Sequence, residues 1–259
     1  MEFNFFKYQG TGNDFIMIDN RTSFFPKNDI DLINQLCDRR FGVGADGLIL
    51  LEDSYNQDFT MVYYNADGKE GSMCGNGGRC IVAFANQLGI IENETTFNAI
   101  DGLHYATIKN NIVSLQMIDV DTIESTNNHL FLDTGSPHHI KFYDDISNID
   151  VKKMGAKIRY GAPYFDSGTN VNFVEQITED SFKVRTYERG VENETMACGT
   201  GVTAVAIAAN NSHKTSANSI KIEVLGGTLE VSFKKQGDRY TDIFLKGPAE
   251  FVYQGKMVC

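Results

Sequence analysis

Two segments of the chain carry the same pattern, Cys-Gly-x-Gly followed by an apolar run that is almost without charge. The first is Cys74-Gly75-Asn76-Gly77 and the second is Cys198-Gly199-Thr200-Gly201. The apolar runs predict helices over 77–88 and 201–209, and helices that are apolar on every side are usually enclosed by other structure. An internal duplication explains the repeated pattern better than chance, so we expect two similar halves.

Short segments in which apolar and polar residues alternate predict strands around these helices. They are residues 15–18, 48–51, 59–63, 105–108, 112–117, 171–174, 182–187, 220–224, 228–233 and 240–245. One further helix is predicted over 29–40, with Asn28 as its N-cap. Residues 168–173 also resemble residues 10–15, in keeping with a duplication. Many short strands around two buried helices favour an α+β fold of two pseudosymmetric domains, each a strand-rich sheet wrapped around a central helix.

The balance of charge excludes some classes of partner. The 259 residues include 23 basic and 34 acidic side chains, which gives a net charge of −11. Without a positive footprint, the chain is expected to bind neither nucleic acid nor an anionic membrane surface. It has no apolar run of membrane-spanning length and no signal-peptide pattern in residues 1–10, so we expect a soluble, cytoplasmic protein.

The five cysteines do not form the pattern of a disulfide framework, because their number is odd and nothing indicates export. Cys74 and Cys198 stand out because each precedes a predicted helix. The remaining cysteines are assigned to packing, and they are Cys37, Cys80 and Cys259. Cys74, Cys80 and the pair His138-His139 lack the ligand spacing of a structural zinc site, so no metal is expected. Packing of buried thiols is the simplest alternative for Cys74 and Cys198.

A cysteine at a helix start suggests a specific chemistry. The first turn of a helix leaves backbone N–H groups without intrahelical partners, and the helix dipole adds partial positive charge there. Such an end binds carboxylates, and it stabilises a thiolate, which lowers the pKa of a cysteine. Two such cysteines suggest thiols on opposite faces of one bound carboxylate-bearing molecule. A thiolate would remove a proton from a tetrahedral carbon and a thiol would return one to the opposite face, which inverts the centre.

Residues 42–47 match Gly-x-Gly-x-x-Gly, which in dinucleotide-binding folds follows a strand and opens a helix. Here the order is reversed, because the segment follows a predicted helix and precedes a predicted strand. We therefore interpret it as a structural turn near the site.

The chain resembles the diaminopimelate epimerase family. Members of this family are cofactor-independent epimerases that use two thiols, and they act in the synthesis of lysine and of peptidoglycan precursors. They belong to a superfamily with the proline racemases. The matching segments keep the family's order along nearly the whole chain, and they are residues 10–15, 39–47, 65–68, 73–77, 168–173, 185–190 and 197–201. The paired cysteine motifs are common to the superfamily. Residues 187–190 and the segment from Asn65 narrow the resemblance to this family.

By position, the resemblance implies a role for each matching residue. Cys74 and Cys198 would be the two bases that convert LL- to meso-diaminopimelate, without a cofactor or a metal. The residues expected to bind this substrate are Asn13, Asn65, Gly75, Asn76, Asn170, Glu188, Arg189, Gly199 and Thr200. His138 and Glu188 are expected to assist catalysis. An arginine that pairs with a carboxylate and a glutamate that accepts from an ammonium suit a substrate with an amino acid at each end.

Three departures from the family pattern affect substrate preference rather than reaction type. Ser136 stands where some members carry asparagine, and Gly47 stands where some carry glutamine. Residues 191–194 lengthen the stretch before Cys198. None of these departures removes a proton-transfer group.

The resemblance also implies the domain organisation. The first domain would comprise residues 1–115 and 247–259, with the C-terminal strand near 249–258 returning to it, and the second would comprise 116–246. The active site is expected in the cleft between them. The chain is expected to form a homodimer and to bind a small-molecule substrate. Two alternatives stay open. One is a proline-type racemase or related isomerase, which the pair Glu188-Arg189 disfavours because proline has no distal group to hold. The other is a redox-active dithiol protein that binds a ligand.

Overall fold

The chain divides into two units in the computed structural model, which describes residues 2–258. The first unit is Met1–Leu115 with Gly247–Cys259, and the second is Gln116–Lys246. Cys259, which the sequence analysis assigned to packing, lies outside the described residues. In the described part of the chain, no helix is long and apolar enough to cross a membrane.

Short strands dominate the described residues. The helices are α1 (Ile30–Cys37), α2 (Gly75–Gln87), α3 (Val151–Arg159) and α4 (Gly199–Asn211). The first unit contains β1 (Glu2–Gly10), β2 (Asn13–Asp19), β3 (Gly47–Glu52), β4 (Phe59–Asn65), β5 (Glu94–Ala99), β6 (Gly102–Lys109), β7 (Ile112–Gln116) and β17 (Glu250–Val258). The second contains β8 (Glu124–Ser125), β9 (Leu130–Asp133), β10 (Pro137–Tyr143), β11 (Asn170–Gln176), β12 (Ser181–Glu188), β13 (Asn193–Thr195), β14 (Ser219–Val224), β15 (Gly227–Gln236) and most of β16 (Arg239–Pro248).

The strands of the first unit alternate between hairpin and crossover connections. β1 and β2 form an antiparallel hairpin, and β3 lies parallel to β2 across α1. β4 pairs antiparallel with β3, and β5 lies parallel to β4 across α2. β6 and β7 continue the antiparallel pairing. β17 pairs antiparallel with β1, which places the C-terminal strand beside the N-terminal one.

The second unit repeats this order of elements. β9 and β10 are antiparallel, β11 lies parallel to β10 across α3, and β12 pairs antiparallel with β11. β14 lies parallel to β12 across α4, and β15 and β16 follow as antiparallel neighbours. The α+β fold with two pseudosymmetric halves is therefore confirmed, with α2 and α4 as equivalent helices.

The similar segments 168–173 and 10–15 do not occupy equivalent positions in the two halves. Residues 168–173 lead into β11, whose counterpart is β3, whereas residues 10–15 lead into β2, whose counterpart is β10. The strand register agrees, because Phe15 pairs with Gly47 as His138 pairs with Asn170. The two segments are similar in sequence, but they lie at different places in the repeat.

The central helices are enclosed within their own units, as their apolar sequences predicted. α4 lies in a core formed with apolar side chains of β9–β12 and β14–β16. In the first unit, successive side chains of each strand point to opposite faces of the sheet. Ile16 and Leu48 pack with Ile33 of α1, whereas the ring of Tyr8 lies against Phe84 of α2. Both faces of this sheet are therefore covered.

The helix boundaries differ from the predictions in two ways. α1 begins after Asp29, whose side chain accepts from the N–H of Leu32, so Asp29 and not Asn28 is the N-cap. The helix also ends at Cys37 rather than residue 40, because the Asp38 carboxylate accepts from the N–H groups of the next turn. α2 and α4 begin two residues earlier than predicted, directly after the cysteines.

Several elements were missed in the sequence. The clearest cases are β1, β5, β9, β10 and α3. α3 is short and mostly polar, and only Val151 and Gly155 of its residues are buried. A nine-residue helix with so small an apolar face gives little periodic signal.

Candidate active site

In the first unit, Cys74 lies immediately before α2 as its N-cap residue. Its backbone is extended, with φ −110° and ψ 119°, and Gly75 begins the helix. Fully buried Asn76 donates from Nδ2 to Oδ1 of Asn13, and Asn13 donates in turn to Oδ2 of Asp46 at 2.9 Å. The first residue of β2 therefore meets the start of α2, and this contact brings Asn13 and Asn76 to the cysteine end of the helix.

The glycine-rich segment 42–47 is braced by charge. Arg39 donates to both carboxylate oxygens of Asp14, at 2.6 and 2.9 Å, and to Asp46 at 2.7 Å. Burial raises the pKa of Asp14, but hydrogen bonds from Arg39 and Lys7 outweigh it and bring the pKa down to about 2. The segment connects α1 to β3, so it is the helix-to-strand turn that the sequence predicted.

Gly47 begins β3 directly opposite Asn65, the exposed last residue of β4. A Cβ on Gly47 would lie 2.5 Å from the carbonyl oxygen of Tyr64 and 2.6 Å from the ring of Tyr63. A side chain at this position therefore requires the β3–β4 pair to move. The packing of this sheet therefore favours glycine at position 47, where some relatives carry glutamine. Asn65, opposite it, remains accessible to a ligand.

Arg79 of α2 is fully buried, and it is not among the residues predicted from the sequence. Its guanidinium donates to the hydroxyl of Thr11 at 2.6 Å and to the carbonyl oxygens of Gly75 at 3.3 Å and Pro248 at 3.4 Å. Burial lowers the pKa of Arg79 from its ordinary value. All three acceptors are neutral, so a buried positive charge lies beside the first turn of α2.

In the second unit, Cys198 is the N-cap of α4, with φ −114° and ψ 110°, and it is 7% exposed. Its Sγ lies 3.4 Å from Oγ1 of Thr200 in the first turn of the helix. Thr134, in the turn before β10, donates its hydroxyl to the carbonyl oxygen of Thr200 at 2.8 Å. The turn before β10 therefore holds the start of α4, whereas in the first unit Asn13, the first residue of β2, holds the start of α2.

His138 connects Thr200 to the interior of the second unit. Its Nε2 lies 2.9 Å from Oγ1 of Thr200, and its Nδ1 lies 3.2 Å from Nδ2 of Asn172. An amide nitrogen only donates, so Nδ1 is an acceptor and the ring proton resides on Nε2. Burial, with a smaller contribution from Arg189, lowers the pKa of His138 to about 3. The imidazole is therefore neutral at pH 7.

Asn170 links Ser136 to Arg189. Its Nδ2 donates to Oγ of Ser136 at 2.8 Å, and its Oδ1 accepts from the backbone N–H of Arg189 at 2.9 Å. The exposed guanidinium of Arg189 donates to the carbonyl oxygen of Ser167 at 2.9 Å. Ser136 thus contacts Asn170 directly. Glu188, which is half-buried, is the last residue of β12 and precedes Arg189.

Residues 191–194, the lengthened stretch, are tied to the rest of the unit. The Glu192 carboxylate accepts from Nε of Arg159 at 3.1 Å and from the hydroxyl of Tyr187 at 2.8 Å. Glu192 itself has a φ of +56°, in the left-handed region. These bonds fix the loop that follows Arg189, so the stretch supports that loop.

The described contacts gather the predicted residues into three sets. Asn13 and Asn76 lie together near Cys74; His138, Thr200 and Cys198 lie together; and Asn170 holds the backbone of Arg189. Asn65 and Glu188 lie at strand ends beside these sets. The residues that sequence reasoning missed include Asn172 and Arg79. Their signals were a polar side chain within an apolar strand and a single arginine within an apolar helix.

Comparison with known proteins identifies the family. The sequence model of the family described as diaminopimelate epimerase matches residues 5–122 and 130–252. A diaminopimelate epimerase of Flavobacterium psychrophilum is 61% identical over 250 residues, which cover 96% of this chain and 98% of the relative. A diaminopimelate epimerase of Chlorobaculum tepidum is 43% identical and covers 95% of this chain and 98% of its own.

Solved structures with the same fold are more distant in sequence. A phenazine biosynthesis protein of the PhzF family from Bacillus anthracis has a TM-score of 0.79 at 14% identity and covers 100% of both chains. A hydroxyproline epimerase from Agrobacterium vitis has a TM-score of 0.68 at 13% identity and covers 99% of this chain and 92% of its own. At these identities the likeness shows the fold alone. The family match in both units and the full-length relatives show that this chain belongs to the diaminopimelate epimerase family.

Proposed function

We propose that this chain, an isomerase, converts LL-diaminopimelate to meso-diaminopimelate by inverting one α-carbon with two thiols. The proposal rests on one observation. Each unit places a cysteine, Cys74 or Cys198, directly before a buried helix of 13 residues that begins with glycine. The two thiols would act on opposite sides of one substrate carbon.

The chemistry needs one sulfur as thiolate and the other as thiol. The thiolate takes the α-proton, the electron pair moves toward the substrate carboxylate, and the thiol returns a proton to the opposite face. The first-turn N–H groups, at Gly75-Asn76 and Gly199-Thr200, would bind that carboxylate and stabilise the charge that develops on it. Removal of one such donor typically costs about 10²–10³ in rate. In this proposal the two thiols and the helix N–H groups carry the whole reaction, without a cofactor.

The distal amino-acid end of the substrate needs a second set of contacts. Asn13, Asn65 and Asn170 offer amide groups, while Glu188 and Arg189 offer opposite charges on adjacent residues. Because Arg189 is exposed and its backbone is held by Asn170, its guanidinium is positioned to meet a carboxylate from solvent. This second set supports diaminopimelate over proline as the substrate.

His138 would assist catalysis without carrying the proton itself. Its ring is buried and neutral, and its two nitrogens are engaged with Thr200 and Asn172. A neutral imidazole in this position orients the hydroxyl of Thr200 beside Cys198. We assign it a positioning role.

Cysteine variants test the proposal. With LL-diaminopimelate in D₂O, the wild-type protein should exchange the α-proton for deuterium and form the meso product, followed by NMR. Cys74→Ala and Cys198→Ala should each abolish epimerisation. Cys37→Ala is the matched control, because its buried thiol, with a pKa raised to about 12 chiefly by burial, lies at the end of a helix rather than at a start. Near-normal turnover in either active-site variant would contradict the two-base assignment.

The alternative functions predict different products. A proline-type racemase would exchange the α-proton of proline and leave diaminopimelate unchanged. A redox-active dithiol protein would exchange neither substrate. Mild oxidation separately tests the proposed pair of thiols, since two thiols on one carbon are near enough to bridge once substrate leaves. Oxidised, inactive protein without a Cys74–Cys198 linkage would contradict that arrangement.

We also propose that the enzyme works in the cytoplasm as a homodimer. The small biosynthetic substrate supports the location. Membership of the family supports the dimer. Sedimentation of the purified chain at micromolar concentration would test it, with a monomer as the contrary result.

A further inference from the structure

A line of buried polar groups in the second unit leads from Thr186 on β12 to Cys198. Oγ1 of Thr186 donates to Oδ1 of Asn172 at 2.9 Å, and Nδ2 of Asn172 donates to Nδ1 of His138 at 3.2 Å. Nε2 of His138 lies 2.9 Å from Oγ1 of Thr200, which lies 3.4 Å from Sγ of Cys198. Asn172 and His138 are fully buried, so water does not compete for these bonds.

The orientation of the Asn172 amide is set by two neighbours. Its Oδ1 receives the proton of Thr186, and its Nδ2 donates also to the carbonyl oxygen of His139 at 3.2 Å. If the Asn172 amide were flipped, its oxygen would face the carbonyl oxygen of His139. These two acceptors would then have no proton between them. The NH₂ group therefore faces His138, and Nδ1 of His138 accepts.

We infer that Asn172 is a positioning residue that aims the hydroxyl proton of Thr200 at Cys198. With the ring proton on Nε2, the hydroxyl oxygen of Thr200 accepts from His138 and its own proton is available to the sulfur. With the ring proton on Nδ1, Nε2 would accept that hydroxyl proton instead, and the sulfur would lose a donor. The role of this donor in turnover rests on the proposed function, whereas the tautomer does not.

The first unit places apolar side chains at both equivalent positions. A Cβ on Gly77 would meet Ile49, and a Cβ on Gly201 would meet Asn172, which shows that Ile49 and Asn172 correspond. The strand register likewise matches Phe15 to His138. The line of buried polar groups from Thr186 to Cys198 therefore occurs in only one half of the repeat. It makes the surroundings of Cys198 different from those of Cys74.

NMR of protein labelled with ¹⁵N-histidine tests the tautomer directly. A protonated and an unprotonated ring nitrogen have distinct shifts, and a His138→Gln sample identifies the signals of His138. The wild type should carry the ring proton on Nε2. Asn172→Asp replaces the donor by an acceptor of the same shape, so Nδ1 should become protonated. A wild-type proton on Nδ1, or an unchanged tautomer in Asn172→Asp, would overturn the inference.

Alkylation of Cys198 is the second readout. Iodoacetamide at pH 7, followed by mass spectrometry of each cysteine peptide, should modify Cys198 about tenfold more slowly in Asn172→Asp, because a thiolate loses a donor. Asn172→Leu removes the donor without adding charge and should act in the same direction. Cys74 should react at the wild-type rate in both variants. Unchanged alkylation of Cys198 in both would overturn the inference.

Thr203→Val is the matched control, because this buried hydroxyl of α4 bonds only the carbonyl oxygen of Gly199 in its own helix, at 3.0 Å. It should leave the tautomer and the alkylation rates unchanged. None of these readouts uses turnover. Turnover retained by Cys74→Ala or Cys198→Ala would defeat the proposed function and leave the tautomer result standing.

Discussion

The position that a Cβ would take on Gly201 lies 2.7 Å from Oδ1 of Asn172. The same position on Gly77, the counterpart in α2, lies 2.9 Å from Cδ1 of Ile49. The two contacts differ in kind, since the Asn172 amide is held by its hydrogen bonds, whereas the Ile49 methyl group ends a flexible side chain. Each helix glycine allows a strand to approach, and only one of these approaches carries a polar network.

Gly201→Ala should therefore lower activity by about tenfold or more, because it displaces Asn172 and lies 3.3 Å from Sγ of Cys198. Gly77→Ala is the matched variant. The added methyl group displaces only an apolar side-chain end, and alanine favours helix by about 1 kcal/mol, so its unfolding free energy should stay within about 1 kcal/mol of wild type. Epimerisation rates and urea unfolding of both variants measure the difference. Equal activity losses would show that the Asn172 contact is unimportant.

Gly47→Gln, which introduces the residue that some relatives carry, should destabilise this chain. The Cβ would lie 2.5 Å from the carbonyl oxygen of Tyr64, which is backbone and cannot rotate away. Overpacking of this kind costs about 1–3 kcal/mol. Thermal unfolding gives the effect, with Lys152→Gln, at an exposed position of α3, as a surface control. A Gly47→Gln protein as stable as wild type would mean that β3 and β4 shift readily.

Arg79→Ala should lower the free energy of unfolding by about 3 kcal/mol or more, because it leaves a large cavity and removes three hydrogen bonds. Arg40→Ala, at an exposed position, should change it by less than about 0.5 kcal/mol. Urea unfolding at pH 7 compares them. If Arg79→Ala is as stable as the control, the guanidinium contributes nothing to the contact of α2 with Thr11 and residue 248.

Acidification below pH 6.5 should weaken the fold through His138. Burial, together with Arg189, holds the folded-state pKa of His138 at about 3, whereas an unfolded histidine titrates near ~6.5. Between these values the unfolded chain binds a proton that the folded chain does not, so the unfolding free energy rises with pH and is lost as pH falls. At pH 4 the loss amounts to about 3 kcal/mol.

Urea unfolding between pH 7 and pH 4 measures this dependence. His139, whose pKa burial also lowers to about 3, acts with the same sign, so the comparison is between wild type and His138→Gln. In His138→Gln, the slope of the unfolding free energy against pH should be smaller by the contribution of about one titrating proton. A His138→Gln protein with the full wild-type slope would contradict a buried neutral imidazole.

Much of the candidate site could be anticipated from local pattern. The paired cysteines, the glycines after them and the uncharged runs behind them lie within a few residues of one another, so their meaning as helix starts did not depend on the rest of the fold. The same is true of the strands with clear alternation. α3 and β10 escaped because their apolar residues are too few or their turns too irregular for a periodic signal.

The start of each buried helix, and the cysteine that precedes it, follow from local sequence alone, because capping and burial of a helix depend on neighbouring residues. Which side chains meet at these helix starts depends on the three-dimensional fold. Asn172 and His138 are 34 residues apart in the chain, and Arg79 and Thr11 are 68 apart. Such pairs are set by strand order and register, and hydrophobic periodicity reports which face of an element is buried but not what lies against it.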